Sequence, residues 1–312
     1  MRKIFFVLCG LLLACSGSTE PAGAAPTTDA GTATNTDAGD ADPDAKLLAS
    51  CTSTFSDDTP ALFKQYFRCV DVSVDGTDVV VATKSLPPYR TYYYGSGNPS
   101  FVEFDTSRGS QYRANPNVLS EQHITLRIPM NPVAKSGLII TKELVDGQSG
   151  TAVSTNDYRL GPIGIALNGV SLYSGVANVG DDINQEQYSF DSWNGHPDQR
   201  GGYHYHSPSP GPLAVLEMNK LVTTTVPGKA ELEFYGVMCD GTVVLGCTEL
   251  DGSAPVTTDL DAQNGHIHDL RDKSGLAALT GRYHTHLCAG WGDASHIFSP
   301  EVQYYDTCNG TQ

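Results

Sequence analysis

Apolar positions along this 312-residue chain come in short runs with turn signals between them. Val79-Val80-Val81-Ala82, His123 to Ile128, Leu138 to Thr141, Ile163 to Leu167 and Val170 to Tyr173 have the length and branched side chains of strands. Asp75-Gly76, Asn98-Pro99, Asp146-Gly147 and Asn168-Gly169 punctuate them as turns. Leu213 to Leu221 and Leu270 to Leu279 are spaced for short helices, and no long amphipathic or coiled-coil pattern occurs. The pattern predicts a mainly β fold: antiparallel sheets in two pseudo-symmetric lobes, with a few short helices.

The two lobes are suggested by an internal repeat, residues 160–206 and 236–286. One copy opens on Gly164 to Tyr173 with Asn168-Gly169 inside it; the other opens on Gly236 to Leu245 with Asp240-Gly241. Each then reaches Asn-Gly-His, at Asn194-Gly195-His196 and Asn264-Gly265-His266, three residues after an Asp (Asp191, Asp261). Each ends in Tyr-His-x-His, at Tyr203 to His206 and Tyr283 to His286. Two lobes of this kind are expected to meet across a symmetric face, with both Tyr-His-x-His segments near it.

The N-terminal run is different in kind. Arg2 and Lys3 precede an apolar stretch, Ile4 to Leu13, too short to span a bilayer as a helix. Leu12-Leu13-Ala14-Cys15 reads as a lipobox, so residues 1–14 are expected to be a lipoprotein signal peptide and Cys15 the lipidated first residue. Ser16, where an Asp is missing, favours the outer membrane in a two-membrane cell. Residues 15–45 are Ala, Gly, Thr, Asp, Pro and Ser without apolar periodicity, an acidic tether. Residues 46–312 are the folded domain, and nothing in them is long and apolar enough to cross a membrane.

Composition then narrows the partners. A formal charge of −16 disfavours nucleic acid and anionic lipid surfaces, leaving the lipid on Cys15 as the expected contact with the bilayer. Beyond Cys9 and Cys15, six cysteines remain: Cys51, Cys69, Cys239, Cys247, Cys288 and Cys308. An even number in an exported chain implies three disulfides; proximity favours Cys51–Cys69, Cys239–Cys247 and Cys288–Cys308, although other connectivities stay open.

The chemistry lies in the histidines. Six of the nine form His-x-His pairs, 204/206, 266/268 and 284/286, where chance would place about 0.3 such pairs. Residues i and i+2 of a strand share a face, so two imidazoles can close on one ion. His196 and His266 supply a third donor to each pair. The candidate metal ligands are therefore His196, His204, His206, His266, His284 and His286, in one shared site or two. His268, with Asp198 as its approximate counterpart, is a secondary candidate. Tyr203 and Tyr283 should face the opposite way, and His123 and His296 lie outside the pattern. All-histidine sites suit copper or zinc, with copper the first choice; the scarcity of methionine argues against a cuprous carrier.

Leu160-Gly-Pro-Ile-Gly-Ile-Ala-Leu-Asn-Gly-Val170, followed by Asn194-Gly-His196 and Gly201-Gly-Tyr-His-Tyr-His206, resembles the YHYH domain family of exported bacterial proteins. The resemblance runs from about Asp75 to His286 and implies export and a metal-binding core, with no reaction or substrate. The second tetrapeptide departs from the pattern as Tyr-His-Thr-His, and Pro87-Pro88-Tyr89 stands where a Pro-Asp-His-like element belongs.

Three functions fit these residues. One is a metal-binding envelope module that sequesters or presents copper. Another is a metalloenzyme, oxidative with copper or hydrolytic with zinc, since three histidines with an open fourth position activate water. The last is an adhesion or glycan-binding module using Trp193 and the run Tyr89, Tyr92, Tyr93, Tyr94. No nucleophile elbow, zincin helix, phosphate loop or dinucleotide fingerprint is present, and the sequence leaves the oligomeric state open.

Overall fold

The computed structural model describes residues 42–148, 150–151, 153–289, 300–306 and 308–311, which belong to one unit of the chain, residues 41–312. The expected signal peptide, Cys15, all but the last residues of the tether, and His296 lie outside the described residues. In chain order the elements are α1 (Pro43–Ser50), β1 (Thr54–Phe55), α2 (Ala61–Tyr66), β2 (Asp71–Asp75), β3 (Asp78–Thr83), β4 (Ile124–Pro129), α3 (Lys142–Asp146), β5 (Gly150–Thr151), β6 (Gly164–Ala166), β7 (Ser171–Leu172) and β8 (Val176–Ala177). They continue as α4 (Ile183–Glu186), β9 (Gly195–Pro197), β10 (Tyr203–Tyr205), α5 (Pro210–Met218), β11 (Phe234–Met238), β12 (Val243–Leu245), β13 (Gly265–Arg271), β14 (Ala278–His286) and β15 (Asn309–Thr311). α1 starts inside the segment read as tether, because Asp42 caps it through the Asp44 amide and Pro43 suits its first turn.

The smaller sheet has the order β1-β2-β3-β4-β15. Asp75-Gly76 turns β2 into β3 with Gly76 at φ 64°, and the alternation of the sequence sends Val72, Val79, Val81, Leu126 and Ile128 inward. Leu62, Phe63 and Tyr66 of α2 join the same core, where Tyr66 meets Phe234 of the other sheet edge-on.

The larger sheet carries the histidines. Its order is β13-β14-β12-β11-β6-β7-β10-β9. At its centre β6 and β11 pair antiparallel, Ile165 opposite Val237. Moving outward from that pair, either side shows an antiparallel neighbour (β7 or β12), then a parallel one (β10 or β14), then an antiparallel edge (β9 or β13). The sheets are thus mixed, and the mainly β reading holds. β6, β7, β11 and β12 are buried along their whole length, not alternately. Both faces of these strands are covered, which suits the apolar runs of β6, β11 and β12.

Two predicted elements are different. Leu270 to Leu279 is no helix: Leu270 and Leu279 face each other across the β13–β14 hairpin, whose turn contains Gly275 at φ 71°. Their spacing satisfies a cross-strand pair as well as a helical turn. Leu138 to Thr141 is irregular, with Ile139 outside and Ile140 buried.

Cys51–Cys69 pairs as expected, but the others are Cys239–Cys308 and Cys247–Cys288. Cys239 follows β11 at the hairpin turn, whereas Cys247 lies beyond the far end of β12, so neighbours in sequence are at opposite ends of the hairpin. The parallel pairing of β12 with β14 sets Leu245 beside His286 and so carries Cys288 to Cys247.

Candidate metal centres

Each Tyr-His-x-His strand pairs with the strand that follows an Asn-Gly turn. His196 stands directly opposite His204, and His266 directly opposite His284. His206 and His286 lie two residues further on the same face. The opposite parity sends Tyr203 and Tyr283 inward, both essentially inaccessible.

The turn residues have separate tasks. Asn194 and Asn264 take positive φ, 59° and 56°, which Asn tolerates better than most residues. Gly195 and Gly265 lie under the tyrosine rings: a Cβ there would come within 2.5 Å of Tyr203 or 2.0 Å of Tyr283. The preceding Asp ties the unit together. Asp191 accepts from the amides of Trp193 (2.9 Å) and Gly195 (3.2 Å) and from the Tyr203 hydroxyl (2.7 Å). Asp261 does the same with Gln263 (3.0 Å), Gly265 (2.8 Å) and Tyr283 (2.7 Å). Burial pushes both carboxyls up, and these hydrogen bonds hold them partly down.

The ring orientations decide what each cluster can do. His204 donates from Nδ1 to the Gly202 carbonyl (2.9 Å), and His206 to that of Ser174 (2.7 Å). His284 donates to the Arg282 carbonyl (3.0 Å) and His286 to that of Gly246 (2.9 Å). A carbonyl has no proton to give, so Nδ1 carries the hydrogen in every case. Ser189 gives its own proton to the Glu186 carbonyl (2.7 Å), so toward His196 Nδ1 (2.6 Å) it accepts. Burial, reinforced by neighbouring imidazoles, drives His196 and His206 well below the usual histidine range. It lowers His204 and His266 to about 4 and depresses His284 as well. These rings are neutral near pH 7, and those with the proton at Nδ1 present a bare lone pair at Nε2.

The lone pairs converge. The donor atoms of His196, His204 and His206 all lie within 4.8 Å of one another, as do those of His266, His284, His286 and Glu249. His204 and His206 bring their Nε2 atoms to 2.9 Å, and His266 and His286 to 3.2 Å. In the first pair both nitrogens are unprotonated, and at that distance they repel. Nε2 of His196 and of His284 and Oε2 of Glu249 are buried without a hydrogen-bond partner. Ligands of one tetrahedral zinc at about 2.0–2.1 Å stand roughly 3.3–3.4 Å apart, so a cation fits either group. Nδ1 tied to a carbonyl is also how metal-binding histidines are normally held.

A carboxylate attends each cluster, and sequence reasoning missed both. Glu249 Oε1 lies 3.2 Å from His266 Nε2 and 3.4 Å from that of His286, while its Oε2 lies 3.2 Å from His284. Burial alone would raise its pKa, but the imidazoles outweigh that and leave it lowered. Glu186 stands further off, 3.9 Å from His206 and 4.0 Å from His196, and burial with Asp181 nearby pushes it up to about 7. Neither lies at a telling spacing from a histidine, so no local signal marks them. His268 is at the rim, 3.3 Å from Glu249 and partly exposed, outside the convergent group. Asp198 is not its counterpart in place: it closes the β9–β10 turn through the amides of Arg200 and Gly202 and accepts from Tyr173.

The clusters are separate. Between β10 and β14 lie β7, β6, β11 and β12, and five steps of about 4.8 Å set the Tyr-His-x-His strands roughly 24 Å apart. The expectation that they meet at the symmetric face is wrong. β6 and β11 pair at the centre of the sheet, and the histidine strands are added outward from them. Of the aromatic residues considered for glycan binding, Tyr89 and Tyr93 are buried, while Tyr92, Tyr94 and Trp193 are partly exposed. Tyr89 stacks on Trp193 at 4.0 Å and bonds the Tyr205 hydroxyl at 2.6 Å, and Tyr93 is buried. His123 is exposed and belongs to neither convergent group.

Residues 125–258 match the family described as YHYH protein. The match includes the first cluster entire and ends before His266. No curated protein matches the chain, and no solved structure does.

Proposed function

We propose that this chain, which carries a YHYH domain over residues 125–258, is an exported metal-binding lipoprotein that holds one transition-metal ion in each histidine cluster. The observation that carries this reading is the convergence of Nε2 atoms on rings whose Nδ1 protons are committed to backbone carbonyls. A cation turns the repulsion in the first cluster into bonding, and the Nδ1 hydrogen bonds already aim the rings at it. Nitrogen donors select copper or zinc over calcium or magnesium. Copper sequestration at the envelope is the first assignment. Zinc is favoured specifically at the second cluster, where the Glu249 carboxylate completes a three-nitrogen, one-oxygen set.

The chain would be displayed outside the cytoplasm on a lipid at Cys15. Among the described residues no helix is long and apolar enough to cross a membrane. Elemental analysis of the full chain after dialysis against copper or zinc should give two equivalents. The pair of changes His204→Ala and His284→Ala should remove both. Unaltered metal content in that variant would make the histidines structural. Metabolic labelling with a fatty acid should mark the wild type and not Cys15→Ala.

A further inference from the structure

The two clusters match in their histidines and differ in how they are closed. In the second, Glu249 lies within 3.2–3.4 Å of all three convergent imidazoles and covers them. The adjoining cleft, about 510 Å³, is lined by Glu249, His266 and His268, while His284 and His286 stay behind it. A disulfide helps hold this arrangement. Cys247 lies two residues before Glu249, Cys288 lies two after His286, and the two are bonded. The carboxylate loop and the histidine strand are tied together beside the site.

The first cluster has none of this. Pro208 stands two residues after His206, where the second copy has Cys288, and Gly175 follows Ser174 where Cys247 follows Gly246. The matching of Ser174 to Gly246 is set by their carbonyls, which hold His206 and His286 in the same way. The carboxylate here comes from the end of α4, and it stops 3.9–4.0 Å from the two nearest Nε2 atoms. Glu186 therefore stands outside the convergent donor group, whereas Glu249 belongs to its own, and the first cluster offers three nitrogens and no carboxylate. All three imidazoles, Glu186 and Tyr173 line a cleft of about 640 Å³. Tyr173 stacks on His204 at 3.8 Å and keeps the ring from turning.

Resting on the reading that both clusters bind metal, we propose that they are not equivalent. The 196/204/206 cluster is an open, three-nitrogen site whose fourth position takes an exchangeable water or small monoanion from the cleft, with Glu186 facing that ligand. The 266/284/286 cluster is closed by Glu249 and retains its ion without a free position. The pattern of three protein ligands and one open position is that of sites where metals act on bound molecules, and four protein ligands is that of sites that hold. Chemistry on an exogenous ligand, if the chain performs any, belongs to the first cluster.

Cobalt(II) and azide test this on the full chain, with visible absorption as the readout. Two cobalt ions per chain are expected, and azide should perturb the spectrum at one of them. In His284→Ala, which keeps the first cluster, azide should still act; in His204→Ala it should not. Glu186→Gln should leave cobalt stoichiometry at two and tighten azide about tenfold or more, because it removes a negative charge beside the bound anion. This variant also serves if the histidine changes impair folding. Failure to bind cobalt at all would refute the metal reading. Two bound cobalt ions with azide acting at both, or at neither, would overturn the inequality alone. Loss of one cobalt in Glu186→Gln would overturn it too, by making Glu186 a ligand.

Discussion

Buried imidazoles that are already neutral should bind metal with almost no competition from protons until the solution is quite acidic. Consider zinc at the first cluster, in a chain carrying His284→Ala to silence the second cluster and Glu186→Gln to remove the nearby carboxyl that titrates at about 7. Three histidines of ordinary pKa, about 6.5, would each be roughly nine-tenths protonated at pH 5.5, and displacing those protons would weaken binding about 1,000-fold relative to pH 8, some 4 kcal/mol. Here His204 is lowered to about 4, and His196 and His206 lie well below the usual range, all chiefly by burial. At pH 5.5 a group with pKa about 4 is only about 3% protonated, so the loss should be under twofold. The sign follows from the depressed values: the ligands stay deprotonated as pH falls, and affinity collapses only near pH 4 and below. Competition dialysis against a chelator whose own pH dependence is calibrated gives the measurement, at half-unit steps from pH 8 to pH 4. A thousandfold weakening already at pH 5.5 would refute the assignment of buried, neutral rings.

Further outcomes concern the scaffold. Gly195→Ala sets a Cβ within 2.5 Å of the Tyr203 ring and should lower stability by about 1–3 kcal/mol, read as a fall in Tm. Asp191→Ala strips partners from two amides and the Tyr203 hydroxyl, so about 3–5 kcal/mol should be lost and the first cluster should bind more weakly although Asp191 is not a ligand; unchanged melting would contradict its anchoring role. Peptide mapping without reduction should recover Cys51–Cys69, Cys239–Cys308 and Cys247–Cys288, and the double change Cys247→Ser with Cys288→Ser should speed chelator-driven metal loss from the second cluster while sparing the first.

Much of the site is legible in the chain because it is built from local periodicities. The parity of a strand alone places His204 with His206 and turns Tyr203 away, and Asn-Gly before histidine announces a turn that brings another imidazole back. The short runs that end at Asp75-Gly76 and Asn168-Gly169 likewise show a mainly β fold. Other features depend on which distant strands pair, and a period of two carries no information about that. The parallel addition of β10 to β7 and of β14 to β12 sends the clusters to opposite ends of one sheet and determines that Cys288 reaches Cys247. Leu270 and Leu279 fit a helical spacing and a hairpin pairing equally, and only the hairpin decided between them. The carbonyls of Gly202, Ser174, Arg282 and Gly246 that set each ring's proton belong to the backbone and leave no mark in residue type. Glu249 comes from the loop after β12 and Glu186 from the end of α4, so their separation from the imidazoles, and with it the contrast between a closed and an open centre, exists only once the chain is folded.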